Sequence, residues 1–205
     1  VPSSVASEAD ICNGALVCVG VGQFLDNLSE DTAEARACDQ IYARTRDALL
    51  EKAPWKFARR RAVLALSTEE RTGWAYVYAL PSDCLAPLFL DPGVLMPAAA
   101  ERVPFDWEAG TSGSVAGPAL LLTNQEEAEL HYTARVENVS LFSPGFVEAL
   151  EWAIAAKLAL VLPIKPALAA QAKVEAKRLL LEATATMLNH SQRSPAAESE
   201  YVSGR

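Results

Sequence analysis

The residues best suited to chemistry in this chain are acidic. Asp106 and Glu108 stand two apart, and Glu126, Glu127 and Glu129 cluster further along. Positions i and i+2 of a strand share a face, so Asp106 and Glu108 have the geometry from which a glycoside hydrolase builds its acid and base. That chemistry also needs one carboxyl kept protonated by burial, whereas acids in turns and on wet strand faces are commonly solvated. His131 and His190 have no second His or Cys at ligand spacing, so no zinc-type site is expected. A Ser-His-Asp arrangement has no Gly-x-Ser-x-Gly elbow to support it. No phosphate-binding glycine motif occurs either, and Gly20 and Gly22 suit a helix terminator. The four cysteines, Cys12, Cys18, Cys38 and Cys84, include no Cys-x-x-Cys pair, and buried thiols are expected. The expectation is a non-enzyme without catalytic, metal-binding or cofactor-binding residues.

Aromatic and basic residues form a second group, suited to binding. Trp55 and Phe57 follow the break at Pro54, where large aromatics serve either as core plugs or as anchors for a partner. Lys56, Arg59, Arg60 and Arg61 make the one dense basic patch, which fits a solvated charge run or a contact to DNA or an acidic partner. Arg46 and Asp47 are neighbours, so on a helix they diverge by roughly 100° and each is expected to make its own bond. Trp55, Phe57, Arg59, Arg60, Arg46 and Tyr201 are the candidate partner-interface residues. The balance of 18 Lys and Arg against 26 Asp and Glu gives a net charge of −8. Broad gripping of nucleic acid, which depends on clustered cations displacing counterions, is therefore not expected.

These side chains must be positioned by three zones. The first, about 7–58, has helical periodicity. Ser7 precedes Glu8 and Asp10 as an N-cap candidate, with Ile11, Ala15, Leu16 and Val19 on one stripe. Ser29, Glu30 and Asp31 open a longer helix to about Lys52, with Ala37 or Cys38, Ile41, Tyr42, Thr45 and Leu49 buried. Glu34, Arg36, Arg44, Arg46 and Asp47 fall on its wet side. The second zone, about 60–135, shifts to short β-prone runs at 62–66, 75–80, 85–90, 102–107, 119–122 and 129–134. Turn formers separate them, including 110–113. The third zone returns to helix at Ser143 and Pro144, with 146–162 apolar nearly all round, a break at 163–166, and a last helix over about 167–189.

The fold class expected is α+β. A four-helix bundle-like body (1–59 plus 143–190) carries an inserted antiparallel β sandwich or barrel (60–142), and a flexible tail spans 191–205. The start lacks the basic and apolar regions of a leader. The longest apolar stretch, 152–163, carries Lys157 and is too short to cross a bilayer. A soluble protein made in a reducing cytoplasm, without membrane contact, is expected.

Specific residues then fall into a familiar order. Ala9, Asp10, Ile11, Cys12, Asn13, Gly14, Ala15 and Leu16 resemble the start of the tail tubular protein A family, the adaptors of short-tailed phages. Ala37, Cys38, Tyr42, Arg46, Asp47 and Leu49 continue the likeness. Its strongest block is Ala53, Pro54, Trp55, Lys56, Phe57 and Ala58, followed by Arg61, Ala62, Leu64 and Ala65. Gly73, Tyr78, Leu80, Pro81, Asp83 and Cys84 then resemble the family's Tyr-x-Leu-Pro-x-Asp-Cys turn, and Leu130, Tyr132, Phe146, Ala149, Leu150, Leu158 and Ala159 also fit. The likeness runs over roughly 7–162 and thins across 91–117. It implies a structural virion protein, assembled in the host bacterial cytoplasm and placed in the neck of the particle. About twelve copies would close by heterologous contacts into a ring. The ring's neighbours would be the portal protein and the downstream tail or nozzle protein, with DNA passing through its lumen without sequence-specific binding. The alternatives are another head-completion or connector protein, or a tail-associated peptidoglycan or polysaccharide hydrolase.

Overall fold

The computed structural model describes residues 7–93, 103–112, 115–162, 164 and 166–189. Among these, four helices and two small antiparallel sheets make a mixed α/β chain, and the sheets do not close into a barrel. Helix α1 spans Glu8–Cys18 and starts where the Ser7 hydroxyl accepts from the Asp10 amide at 3.2 Å, which satisfies one orphan donor of the first turn. Helix α2 spans Ala33–Glu51 and is capped by Thr32, whose hydroxyl accepts from the Ala35 amide, rather than by Ser29. Helix α3 spans Pro144–Val161 with proline in its first turn, where a missing amide costs nothing. Helix α4 spans Pro166–Asn189.

Helix α3 lies at the centre of the helical body and packs on α1, α2 and α4. It buries Phe146, Val147, Ala149, Leu150, Ile154, Ala155, Leu158 and Ala159. Its end corrects the expectation of nearly all-round burial, because Leu160 is 81% exposed. Gly14 of α1 allows α1 and α3 to approach: a β-carbon there would collide with the Glu151 carboxyl. On α2, Ala37, Cys38, Tyr42, Thr45 and Leu49 are buried as the stripe required, and Ile41 is half-buried.

The sheets comprise β1 (Arg59–Val63), β2 (Ala65–Leu66), β3 (Tyr76–Ala79), β4 (Cys84–Leu90), β5 (Phe105–Ser112), β6 (Val115–Thr123) and β7 (Glu129–Ala134). One sheet has the order β1-β7-β4 and the other β2-β3-β6-β5. The run 62–66 is thus split at Leu64. Its first part pairs with β7 and its last with β3, so the chain changes sheet within a few residues. The expected turn at 110–113 instead belongs largely to strand, with β5 continuing through Gly110 to Ser112. Gly110 is required because a β-carbon there would press into the Pro118 carbonyl. Tyr78 and Leu121 from one sheet share a core with Leu90, Leu130 and Tyr132 from the other, which makes the pair a sandwich.

Candidate functional site

Two features are candidates: the joint between helices and sheets, and the exposed edges of the sandwich. The joint is built by the segment after α2. Pro54 ends the helical run, and Trp55 turns back so that its indole Nε1–H donates to the Leu49 carbonyl at 2.9 Å. Trp55 meets Phe146 edge-on with centroids 5.0 Å apart, and Phe57 contacts Phe142 at 5.6 Å and Phe146 at 5.1 Å. Ala58 then accepts from the Ala134 amide at 2.8 Å, which fixes β1 beside β7. Trp55 is only 2% exposed, so its candidate role as a partner anchor is corrected: it is a core plug. Phe57 is half-buried in the same cluster. Beside them a cleft of about 420 Å³ is lined by Trp55, Phe57, Pro144, Gly145, Leu179 and Met187, among others. Its mostly apolar lining suits a hydrophobic side chain.

Arg46 is the second correction. It is 4% exposed, not on the wet side, and its guanidinium bonds the adjacent Asp47 at 2.9 Å, with Glu8 and Glu137 each at 3.8 Å. The divergence of neighbouring helical positions is overcome by the length of the arginine side chain. Asp47 also accepts from Arg135 Nε at 2.9 Å, so the network ties α1 and α2 to the segment that leaves β7. A buried cation surrounded by acids has no free surface to offer a partner.

The basic patch is open. Arg59, Arg60 and Arg61 are exposed along β1. Arg60 reaches Asp83 at 2.7 Å, and Arg61 lies 3.7 Å from Glu129 with its side chain 71% exposed. Asp83 also accepts from the Tyr132 hydroxyl at 3.1 Å, which, after burial, helps push that phenol up to about 12.

Of the acidic pairs, Asp106, Glu108, Glu126 and Glu127 are exposed, and Glu129 is half-buried. Asp106 and Glu108 do share a face of β5. Glu108 is ion-paired with Arg71, while Asp106 accepts from the Trp107 amide at 2.8 Å and has no other partner among the described residues. Sequence reasoning missed one carboxyl packed between helices. Glu151 on α3 is pushed up to about 7, first by burial and then by Glu148. Its signal in the sequence was a pair of acids, Glu148 and Glu151, one turn apart in an otherwise apolar helical run. His131 stacks on Phe89 at 4.4 Å, with its Nε2 3.5 Å from Asp91. Asp91 in turn is held below the usual carboxylate range by the Gly93 amide and by His131. Cys12 and Cys38 are buried in the helical core, and burial pushes the Cys18 and Cys84 thiols up to about 11. Among the described residues, no group of three or more His, Cys, Asp and Glu is placed to hold a metal ion. No described helix is long and apolar enough to cross a membrane. Tyr201, His190 and the segment 191–205 lie outside the described residues.

No known family model matches this chain, and no curated protein matches it either.

Proposed function

We propose that this chain is a structural subunit of a phage head-to-tail adaptor. Copies of it form a ring that joins the portal to the next tail component and lets DNA pass. The observation that carries this reading is where the adaptor-like residues sit. Trp55 and Ala58 lock the first strand onto the helices. Tyr78 and Leu80 pack in the sandwich core, and Asp83, in the turn after β3, bonds Arg60 of β1 at 2.7 Å and accepts from the Arg135 amide through its carbonyl. The residues that carry the resemblance therefore act together, holding a β module on a helical body. An adaptor needs such rigid coupling between two contact surfaces and no reaction centre.

The wet, open setting of Asp106, Glu108 and Glu126 favours this role over a wall-degrading hydrolase, which relies on a desolvated carboxyl. The strand-rich middle likewise favours it over an all-helical connector. The partners are then copies of the same chain, the portal protein and the downstream nozzle, within the neck of the virion. Negative-stain imaging of the purified protein, alone and mixed with the portal of the same phage, tests the proposal. Rings seated on the portal are expected. A chain that never joins the portal, or that clears purified cell wall in a turbidity assay, overturns it.

A further inference from the structure

We propose that the two lateral edges of the sandwich pair between copies of this chain, with β1 of one copy lying beside β5 of the next. This rests on the ring reading and specifies the contact that would close it. The chain order puts β1 and β2 on one side of the sandwich, and β4 and β5 on the other. Edge strands expose unpaired amides and carbonyls, and proteins usually blunt them. Here β4 is blunted by Pro87 and by two register shifts, and β2 is two residues long. Strand β5, Phe105–Ser112, carries neither proline nor lysine, and its single register shift lies between Ala109 and Thr111, so the stretch from Phe105 to Ala109 is a regular, unblunted edge. At its edge stands Trp107, 53% exposed, although it belongs to the row Leu66, Tyr78, Leu121, Trp107 whose middle members are buried. The opposite edge presents Val63, 73% exposed, and Leu66, 65% exposed. Each side therefore offers apolar surface together with an unfinished strand.

Charge decides which edges meet. Strand β1 reads Arg59, Arg60, Arg61, and β5 reads Asp106, Trp107, Glu108. Side chains alternate between faces, so Arg59 and Arg61 share one face as Asp106 and Glu108 do. Laid side by side in parallel, the two strands set Arg59 against Asp106 and Arg61 against Glu108 and place Trp107 beside Arg60, a favourable cation–aromatic neighbour. Pairing β1 with β1 would oppose arginines, and pairing β5 with β5 would oppose acids. Both are disfavoured. The contact is thus heterologous, the type that generates rings or open arrays rather than closed pairs. Arg59 and Asp106 carry it most directly, because neither has an ion partner among the described residues.

The test is sedimentation velocity of the full chain over a concentration series, with circular dichroism confirming that each variant is folded. The wild type should self-associate. Arg59→Glu and Asp106→Arg should each raise the dissociation constant at least about tenfold, because like charges then face each other. The double variant should recover most of the loss, since the pair is only exchanged. A wild type that stays monomeric throughout overturns the pairing. So do single variants that associate like the wild type, or a double variant no better than the singles. Imaging with the portal separates this outcome from the adaptor role. Rings of Arg59→Glu as regular as the wild type sink the edge pairing alone. Self-association through these edges without portal binding sinks the adaptor role alone.

Discussion

Trp55 and Arg46 show how two residues suited to a surface come to serve the interior. The indole of Trp55 fills the joint between α2, α3 and β1 and satisfies the Leu49 carbonyl at the end of α2. Trp55→Ala should destabilise the fold by about 3–5 kcal/mol, because it opens a cavity and leaves that carbonyl without its donor. Trp55→Phe should recover part of the loss, since it restores apolar volume without the hydrogen bond. Urea unfolding midpoints check both, and a Trp55→Ala midpoint close to wild type would contradict the plug. The arginines offer a matched contrast. Removing Arg46 takes a buried side chain from beside the half-buried Asp47 and the more exposed Glu8 and Glu137, so Arg46→Ala should cost about 1–3 kcal/mol, chiefly through lost packing. Arg59 lies exposed on β1, and Arg59→Ala should fall within about 0.5 kcal/mol. Equal effects of the two substitutions would show that Arg46 is not the tie between helices and sheets.

At the scale of elements, the contact between α1 and α3 sets a glycine against an acid. Gly14 leaves room for Glu151, whose carboxyl is pushed up from the ordinary glutamate value of 4.5 to about 7 by burial and by Glu148. Between those two values the folded chain holds a proton that the unfolded chain has released, so stability falls as pH rises through this range. The contribution is fully present below about pH 4.5, is lost through about pH 7, and stays lost above it. Glu151→Gln should remove this slope: relative to wild type it should gain stability at about pH 8 and little at about pH 5. Denaturation midpoints at the two pH values test this, and an equal difference at both would exclude Glu151 as the titrating group. Much of this level was legible in the sequence, because helical periodicity and the caps at Ser7 and Pro144 depend on local chemistry. The burial of Arg46 was not, because it depends on Glu137 and Asp47 meeting across elements far apart in the chain. Nor was the sheet switch at Leu64: Ala62 and Ala65 have similar propensities, and only their partners, Leu130 and Ala79, set them apart. Gly110 was misleading for the opposite reason, since the same residue that suits a turn also permits a close strand approach at Pro118. The candidate interface divided along the same line. Exposure of Arg59 and Arg60 could be expected from charge alone, whereas the open edge at Trp107 required knowing which strand ends the sheet.

At the scale of the whole molecule, the charge balance bears on how a ring of such subunits would treat DNA. The chain carries 18 Lys and Arg against 26 Asp and Glu. Several of the basic groups are already engaged: Arg36 with Asp31, Arg60 with Asp83, Arg71 with Glu69 and Glu108, Arg135 with Asp47, and Arg178 with Glu175 and Glu182. An engaged guanidinium releases no counterion when a phosphate approaches unless its acid is displaced, so the net surface repels a polyanion. A conduit benefits from this, because DNA that adhered to the wall would be slowed in transit. The purified chain should therefore fail to retard duplex DNA in a mobility-shift assay, even at low salt, where electrostatic binding is strongest. Exchanging acids for cations should create binding that the native chain lacks. Asp106→Arg combined with Glu126→Arg places two new charges at exposed positions, and retardation that fades steeply with added salt should follow. Salt-sensitive retardation by the unaltered chain would mean that its basic strand reaches DNA despite the net charge, and that the passage grips what it conducts.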